Sequence, residues 1–270
     1  ARPAGVFCEF SRREPIGFQP ASRSIEEFSM GTDWDWQVFL QDPGNYPTYW
    51  QWLMSAWGWT VSVAVLALIV ALVLGSIIGI LRTLPNSPWL SGFGTCWVEL
   101  FRNVPLLVQI FLWYHVIPAL IPAMKSFDSF TLVVIALGLF TSVRIAEQLR
   151  SGIQSLPRGQ RYAGMAMGFT TAQYYRYVLL PMAYRIIIPP LTSETMNVFK
   201  NSSVAFAVSV TELTWYAMQV GEETSRPIEI YAAVTALYVI SALAINRIMA
   251  FIEKRSRVPG FIASASGGGH

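Results

Sequence analysis

The sequence predicts an all-α membrane protein with five transmembrane helices, and three observations lead there. Of its 270 residues, 53% are hydrophobic and 13% charged, about half the charge of an ordinary soluble domain. The run from Val61 to Leu81 carries no charge and, at about 1.5 Å per residue, reaches across a hydrocarbon core about 30 Å thick. Several such runs in a chain this short cannot all be buried without a bilayer. The basic residues, finally, cluster between and after the apolar runs. A net charge of +3 is too modest to imply a nucleic-acid partner. With only Cys8 and Cys96, a disulfide framework has no basis.

Taken in order, residues 1–29 are rich in Arg, Glu, Ser and Pro and hold no apolar stretch like a signal peptide. Met30-Gly-Thr-Asp-Trp-Asp-Trp reads as a start, so 1–29 is either a flexible leader or sequence translated upstream of it. Residues 30–56 form a periplasmic segment, 57–258 the membrane domain and 259–270 a flexible tail. The spans run about Trp57 to Leu81, Val104 to Pro122, Phe130 to Arg150, Tyr184 to Val210 and Ile230 to Ile252. Trp50, Trp52, Trp57 and Trp59 make an aromatic belt at the entrance of the first. The fourth is abnormal: Pro189, Pro190, Glu194, Asn197, Lys200 and Asn201 are costly against lipid, so this helix must face protein or water. Pro189-Pro190 marks either a bend within it or a turn before it begins.

Arginines and lysines orient the spans. Arg158, Arg161 and Arg176, flanked by Arg150 and Arg185, lie between spans three and four, and Lys254, Arg255 and Arg257 follow span five. Both regions therefore face the cytoplasm. An odd number of spans then places the amino terminus outside and the carboxyl terminus in the cytoplasm. The opposite loops agree, with Asp128, Glu222 and Glu223 against Lys125 and Arg226.

The cytoplasmic loop, about 156–181, is too apolar for a linker. Tyr162 to Met167 forms a small-residue helix closed by Gly168, and a second short helix begins at Thr170 or Thr171 and ends before Pro181. Two short helices with an apolar face suit the groove of another protein; the competing reading lays them on lipid headgroups. Ala163, Gly168, Val178, Leu180 and Pro181, preceded by Gly159-Gln160, give this stretch its resemblance to the Glu-Ala-Ala loop of ATP-binding-cassette (ABC) importer permeases of the polar amino acid branch. Tyr162 stands where that family has Glu, and Gly164 where it has its second Ala.

The runs Glu99-Leu-Phe-Arg-Asn-Val-Pro-Leu-Leu-Val-Gln109, Glu147-Gln-Leu-Arg150, Lys200-Asn-Ser-Ser203 and Thr211-Glu-Leu213 resemble other parts of the same branch. The first run, with Gln-Ser-Leu-Pro-Arg-Gly-Gln, is most similar to its glutamate/aspartate permeases. The resemblance implies a type I importer fold in which Gln160, Tyr162, Ala163, Gly164, Ala166, Met167, Gly168, Leu180 and Pro181 form the coupling surface on an ATPase. It further implies two cytoplasmic ABC ATPases, which bind ATP and Mg, and a periplasmic amino-acid-binding protein.

Helical spacing groups the intramembrane polar residues into stripes. Thr141, Arg144, Glu147 and Gln148 share a sector of span three; Glu194, Asn197 and Asn201 share one of span four; Glu99, Arg102 and Gln109 align along span two. Arg144, Gln109, Glu147, Glu194, Asn197 and Asn201 are the candidates for a substrate path, with Arg144 the cation for an anionic group. Alternatively Arg144 with Glu147, and Arg102 with Glu99, are structural pairs. His115, beside Trp113 and Tyr114, fits an interfacial hydrogen bond, and a metal site has no support from two histidines, the other being His270.

No phosphate-binding Gly-x-x-x-x-Gly-Lys-Ser/Thr run occurs, so this chain is expected to be no enzyme, to carry no cofactor and to rely on partners for ATP. Polar stripes without a closed pore call for a second permease chain, which the resemblance implies to be a paralogue, besides membrane lipid. The rival function is an ion-gradient-driven transporter or channel, for which internal repeats are absent.

Overall fold

The computed structural model describes residues 34–256. The expected leader over 1–29, Arg257 and the tail over 259–270 lie outside them. Every regular element among the described residues is helical: α1 (Tyr49–Leu81), α2 (Pro88–Arg102), α3 (Leu106–Leu120), α4 (Ser129–Gln154), α5 (Arg158–Ala166), α6 (Thr171–Tyr174), α7 (Leu180–Asn201), α8 (Leu213–Thr224) and α9 (Pro227–Ser256). By length and composition α1, α4 and α9 can each cross a membrane, and a fourth crossing exists if α2 and α3, bent by 103°, count as one.

α1 begins where the Thr48 side chain accepts from Gln51 N at 3.2 Å. Its 33 residues span about 50 Å, so its first turns extend past any apolar slab. Those turns are tied down by aromatics. Trp52 meets Tyr216 edge-on at 5.6 Å, and Tyr216 Oη donates to Tyr49 O at 2.9 Å. Beside them Glu212, fully buried, accepts from Thr214 N and Trp215 N to start α8 and from Tyr238 Oη of α9 at 3.1 Å.

α4 is the central helix: 67% of its most apolar window is buried, against 22% for α9. Its seam with α1 depends on small residues. A Cβ on Gly75 would stand 2.7 Å from both Ile145 Cβ and Ser142 O, and one on Gly138 would stand 2.6 Å from Val70 Cγ1. With no hydrophobic force between helices in lipid, such close approach supplies the van der Waals contact that holds them.

Three expectations are corrected. The second crossing is not one helix from Val104 to Pro122. The chain breaks at Asn103–Pro105, and α3 alone, at 15 residues, reaches about 23 Å, short of the hydrocarbon core. Pro105 cannot continue α2, and Gln109 Nε2 turns back to cap it, donating to Phe101 O at 2.8 Å and Val104 O at 3.0 Å. Glu99 and Arg102 therefore do not share a stripe with Gln109. Next, the second short loop helix does not end before Pro181. α6 passes through a π-turn over Tyr175–Leu179 straight into α7, and Pro181 stands directly after that turn, where the regular i→i−4 ladder is already interrupted. Pro189 and Pro190, for their part, lie inside α7, which excludes a turn before the helix. α7 is not among the helices apolar enough to cross by themselves; Arg185, Pro189, Pro190, Glu194 and Asn197 lower its mean hydropathy.

Candidate functional site

Two groups of charged side chains gather around α4. Arg144 Nη1 faces Glu194 Oε2 of α7 at 3.4 Å, with 45% of the arginine side chain and 12% of the glutamate side chain exposed. The Arg144 guanidinium also sits 5.4 Å from the centre of the Phe140 ring. One turn along, Glu147 collects three arginines: Arg82 at the end of α1, Arg102 of α2 at 3.3 Å and Arg150 at 3.7 Å. Arg82 lies across Gly94, whose missing side chain makes room for it: a Cβ there would stand 2.5 Å from Arg82 Cγ. A cavity of about 260 Å³ opens between the two groups, lined by Phe101, Arg102, Phe140, Val143, Arg144 and Glu147.

The pairs differ from those the sequence suggests. Arg144 pairs with Glu194 and not Glu147, and Arg102 pairs with Glu147 and not Glu99. Arg144, Glu147 and Glu194 thus come together at one place. Asn197 and Asn201 follow along α7, both half-buried. Gln109 lies elsewhere in role: its amide nitrogen is committed to the helix break. Thr141, grouped with Arg144 by spacing, is buried in the α4 packing. Sequence reasoning missed Arg82, because an arginine directly after an apolar run looks like an ordinary snorkelling end. It also missed the buried Glu212, for which the signal was an acid just ahead of a helical run. His115 packs against Phe111 and Tyr114 in a π-turn. Among the described residues no group of acids, histidines and cysteines gathers as metal ligands do.

The loop between α4 and α7 forms a second candidate surface. α5 ends at Ala166 with Met167 as its C-cap, and Gly168 at φ +83° reverses the chain, a conformation that strains any residue with a Cβ. Thr170 and Gln173 then form a reciprocal cap that starts α6. Gly164 points inward, where an added Cβ would meet the Tyr174 ring at 3.0 Å, while Ala163 and Ala166 are exposed along with Tyr162 (65%) and Met167 (68%). Tyr175 Oη donates to Thr83 O at 2.6 Å, fastening the loop to the end of α1. Gln160 is half-buried, Leu180 is half-buried in α7, and Pro181 beside it is exposed.

Residues 71–258 match the family described as binding-protein-dependent transport system inner membrane component. The glutamate/aspartate import permease protein GltJ of Escherichia coli (strain K12) is 44% identical over 242 residues, covering 86% of this chain and 98% of GltJ. The glutamine transport system permease protein GlnP of the same strain is 30% identical over 200 residues, covering 74% of this chain and 90% of GlnP. Among solved structures, a chain of an amino acid ABC transporter with histidines superposes at TM-score 0.67 and 28% identity, over 77% of this chain and 95% of that one. The MetNI methionine ABC transporter, at TM-score 0.64, 20% identity and coverage of 77% and 98%, shares the fold. A family match over most of the chain, a relative at 44% identity and an all-helical architecture shared with ABC importer permeases together place this chain in the family of binding-protein-dependent transport system inner membrane components.

Proposed function

We propose that the chain is the permease subunit of an ATP-driven importer that carries acidic amino acids, glutamate or aspartate, into the cytoplasm. The observation that carries the reading is the Arg144–Glu194 pair at the cavity between α2 and α4: a half-exposed guanidinium held across two helices by a buried carboxylate. With the neighbouring Arg82, Arg102, Arg150 and Glu147 the pair makes four guanidiniums against two carboxylates, an excess of positive charge that suits an anionic cargo. The likeness to GltJ supports the same cargo. On this reading α1, the bent α2–α3 pair, α4, α7 and α9 are the five crossings, with the amino terminus in the periplasm. α7 tolerates its charges because it faces the cargo path and not lipid.

ATP is bound and hydrolysed by two partner ATPases that grip the loop over residues 156–181, while a second permease chain completes the path and a periplasmic receptor delivers the cargo. Closure of the ATPases moves α5, and the α6–α7 continuity carries that movement into the helix holding Glu194. Cargo affinity must differ between the outward and inward states for the two events to be linked. Likeness to ABC transporter chains favours this reading over an ion-gradient carrier. Proteoliposomes holding the full complex test it: labelled glutamate should accumulate only with ATP, receptor and ATPases together. Accumulation by this chain alone under an ion gradient would refute it.

A further inference from the structure

α7 differs from its neighbours in what it leaves uncovered. α1 exposes Val65, Leu66, Ile69, Val73 and Ile77, and α9 exposes Val239, Ile240, Leu243, Ile248 and Phe251, side chains as apolar as the lipid tails they meet. α7 exposes no large apolar side chain: among its described residues the exposed ones are Pro181, Arg185, Pro189, Pro190, Ser193 and Lys200. Arg185, Pro189, Ser193 and Lys200 fall on one face at helical spacing, and the half-buried Asn197 and Asn201 continue it round to the buried Glu194. On α4, among the described residues from Ser129 to Arg150, Arg144 alone is exposed, and it pairs with Glu194. The uncovered surface of these two helices is therefore polar, as a path for a polar cargo requires.

Arg185 and Lys200 stand at the two ends of the α7 face, about 22 Å apart along the axis. Arg185 adjoins the cytoplasmic loop, where the charge asymmetry of membrane proteins places basic residues; Lys200, at the opposite end, has no such explanation. Among the described residues Lys200 makes no ion pair. Nor does it neutralise a bare helix end, because the chain runs on as a 3-10 helix over Ser202–Val208 and Ser202 N donates to Val198 O.

Resting on the importer reading above, we infer that Lys200 is a second cargo-binding cation, whose ammonium takes a carboxylate of the acidic amino acid at the outer end of the path, about 9 Å beyond Glu194 along α7. An exposed point charge on a flexible stem draws in cargo as it leaves the receptor. The Arg144 charge is shared with Glu194, whereas that of Lys200 is shared with no acid among the described residues. Asn197, between the two levels, offers a neutral amide to the rest of the amino acid.

The test uses the full complex in proteoliposomes, with KM and maximal rate resolved for labelled glutamate and glutamine. Lys200→Gln should raise the glutamate KM about five- to tenfold, as loss of an exposed charge-assisted contact, and the glutamine KM by less than about twofold. Lys200→Arg should hold the glutamate KM within about twofold of wild type. Lys125→Gln removes an exposed lysine after α3 and controls for the general outer charge; it should leave both values unchanged. An unchanged glutamate KM in Lys200→Gln, an equal rise for glutamine, or a loss that arginine does not restore overturns this inference and leaves the importer reading standing. So does a Lys200→Gln complex that no longer holds its second permease chain, since the lysine then pairs across subunits. A wild-type complex that takes up no glutamate with ATP overturns both.

Discussion

Replacing Arg144 with alanine is the sharpest probe of the cargo site. A charge-assisted hydrogen bond contributes about 1.5–3 kcal/mol, and because 45% of the Arg144 side chain is exposed, the lower end of that range applies. About 1.5–2 kcal/mol corresponds to a ten- to thirtyfold rise in KM for glutamate, whereas a neutral amino acid of similar size should change by less than about twofold. The substitution has a second consequence, since it leaves the buried Glu194 carboxylate without its partner. The double variant Arg144→Ala with Glu194→Gln removes that penalty and separates the two effects. Uptake of labelled glutamate and glutamine by proteoliposomes, with KM and maximal rate resolved, reads all three variants. If the double variant regains wild-type glutamate uptake, Arg144 serves only to neutralise Glu194, and the cargo role is wrong. Equal losses for glutamate and glutamine would refute it as well.

Three further outcomes follow from the packing. Glu147→Ala leaves Arg82, Arg102 and Arg150 facing one another without their common partner, at a cost of about 2–4 kcal/mol given the burial of Arg82; the thermal midpoint in detergent should fall by roughly 5–15 °C. Gly168→Ala meets no neighbour within 4 Å but must adopt φ +83°, a strain of about 1 kcal/mol that should speed proteolysis within 156–181 without changing membrane insertion. Gly75→Leu drives a side chain into Ile145 and the Ser142 carbonyl, so the yield of monodisperse protein on size exclusion should collapse, while Gly58→Ala, with nothing within 4 Å, should match wild type.

Much of this protein was legible before any coordinates. The uncharged run ending at Leu81 implied α1, and the stretch from Tyr162 to Pro181 implied a helix, a reversal at Gly168 and a second helix. Period and composition suffice for these because they depend on neighbours along the chain. Helical spacing likewise selected Arg144 and Glu194, each on its own helix.

Which side chains meet was not legible, because pairing is set by helix crossing and not by sequence distance. Sequence proximity offered Arg144 with Glu147 and Arg102 with Glu99 as pairs; the close α1–α4 seam at Gly75 and Gly79, and the seat that Gly94 leaves for Arg82, bring the ends of α1 and α2 onto Glu147 and leave Arg144 to reach α7. The break at Pro105 was equally hidden, since a single proline is compatible with a kinked span, and only Gln109 folding back to cap α2 makes it a turn of 103°. The sequence by itself determined that the chain is helical, apolar and basic on one loop. The tertiary structure decided which charges neutralise one another and which remain half-exposed beside a cavity, because that depends on how closely glycines let the helices approach.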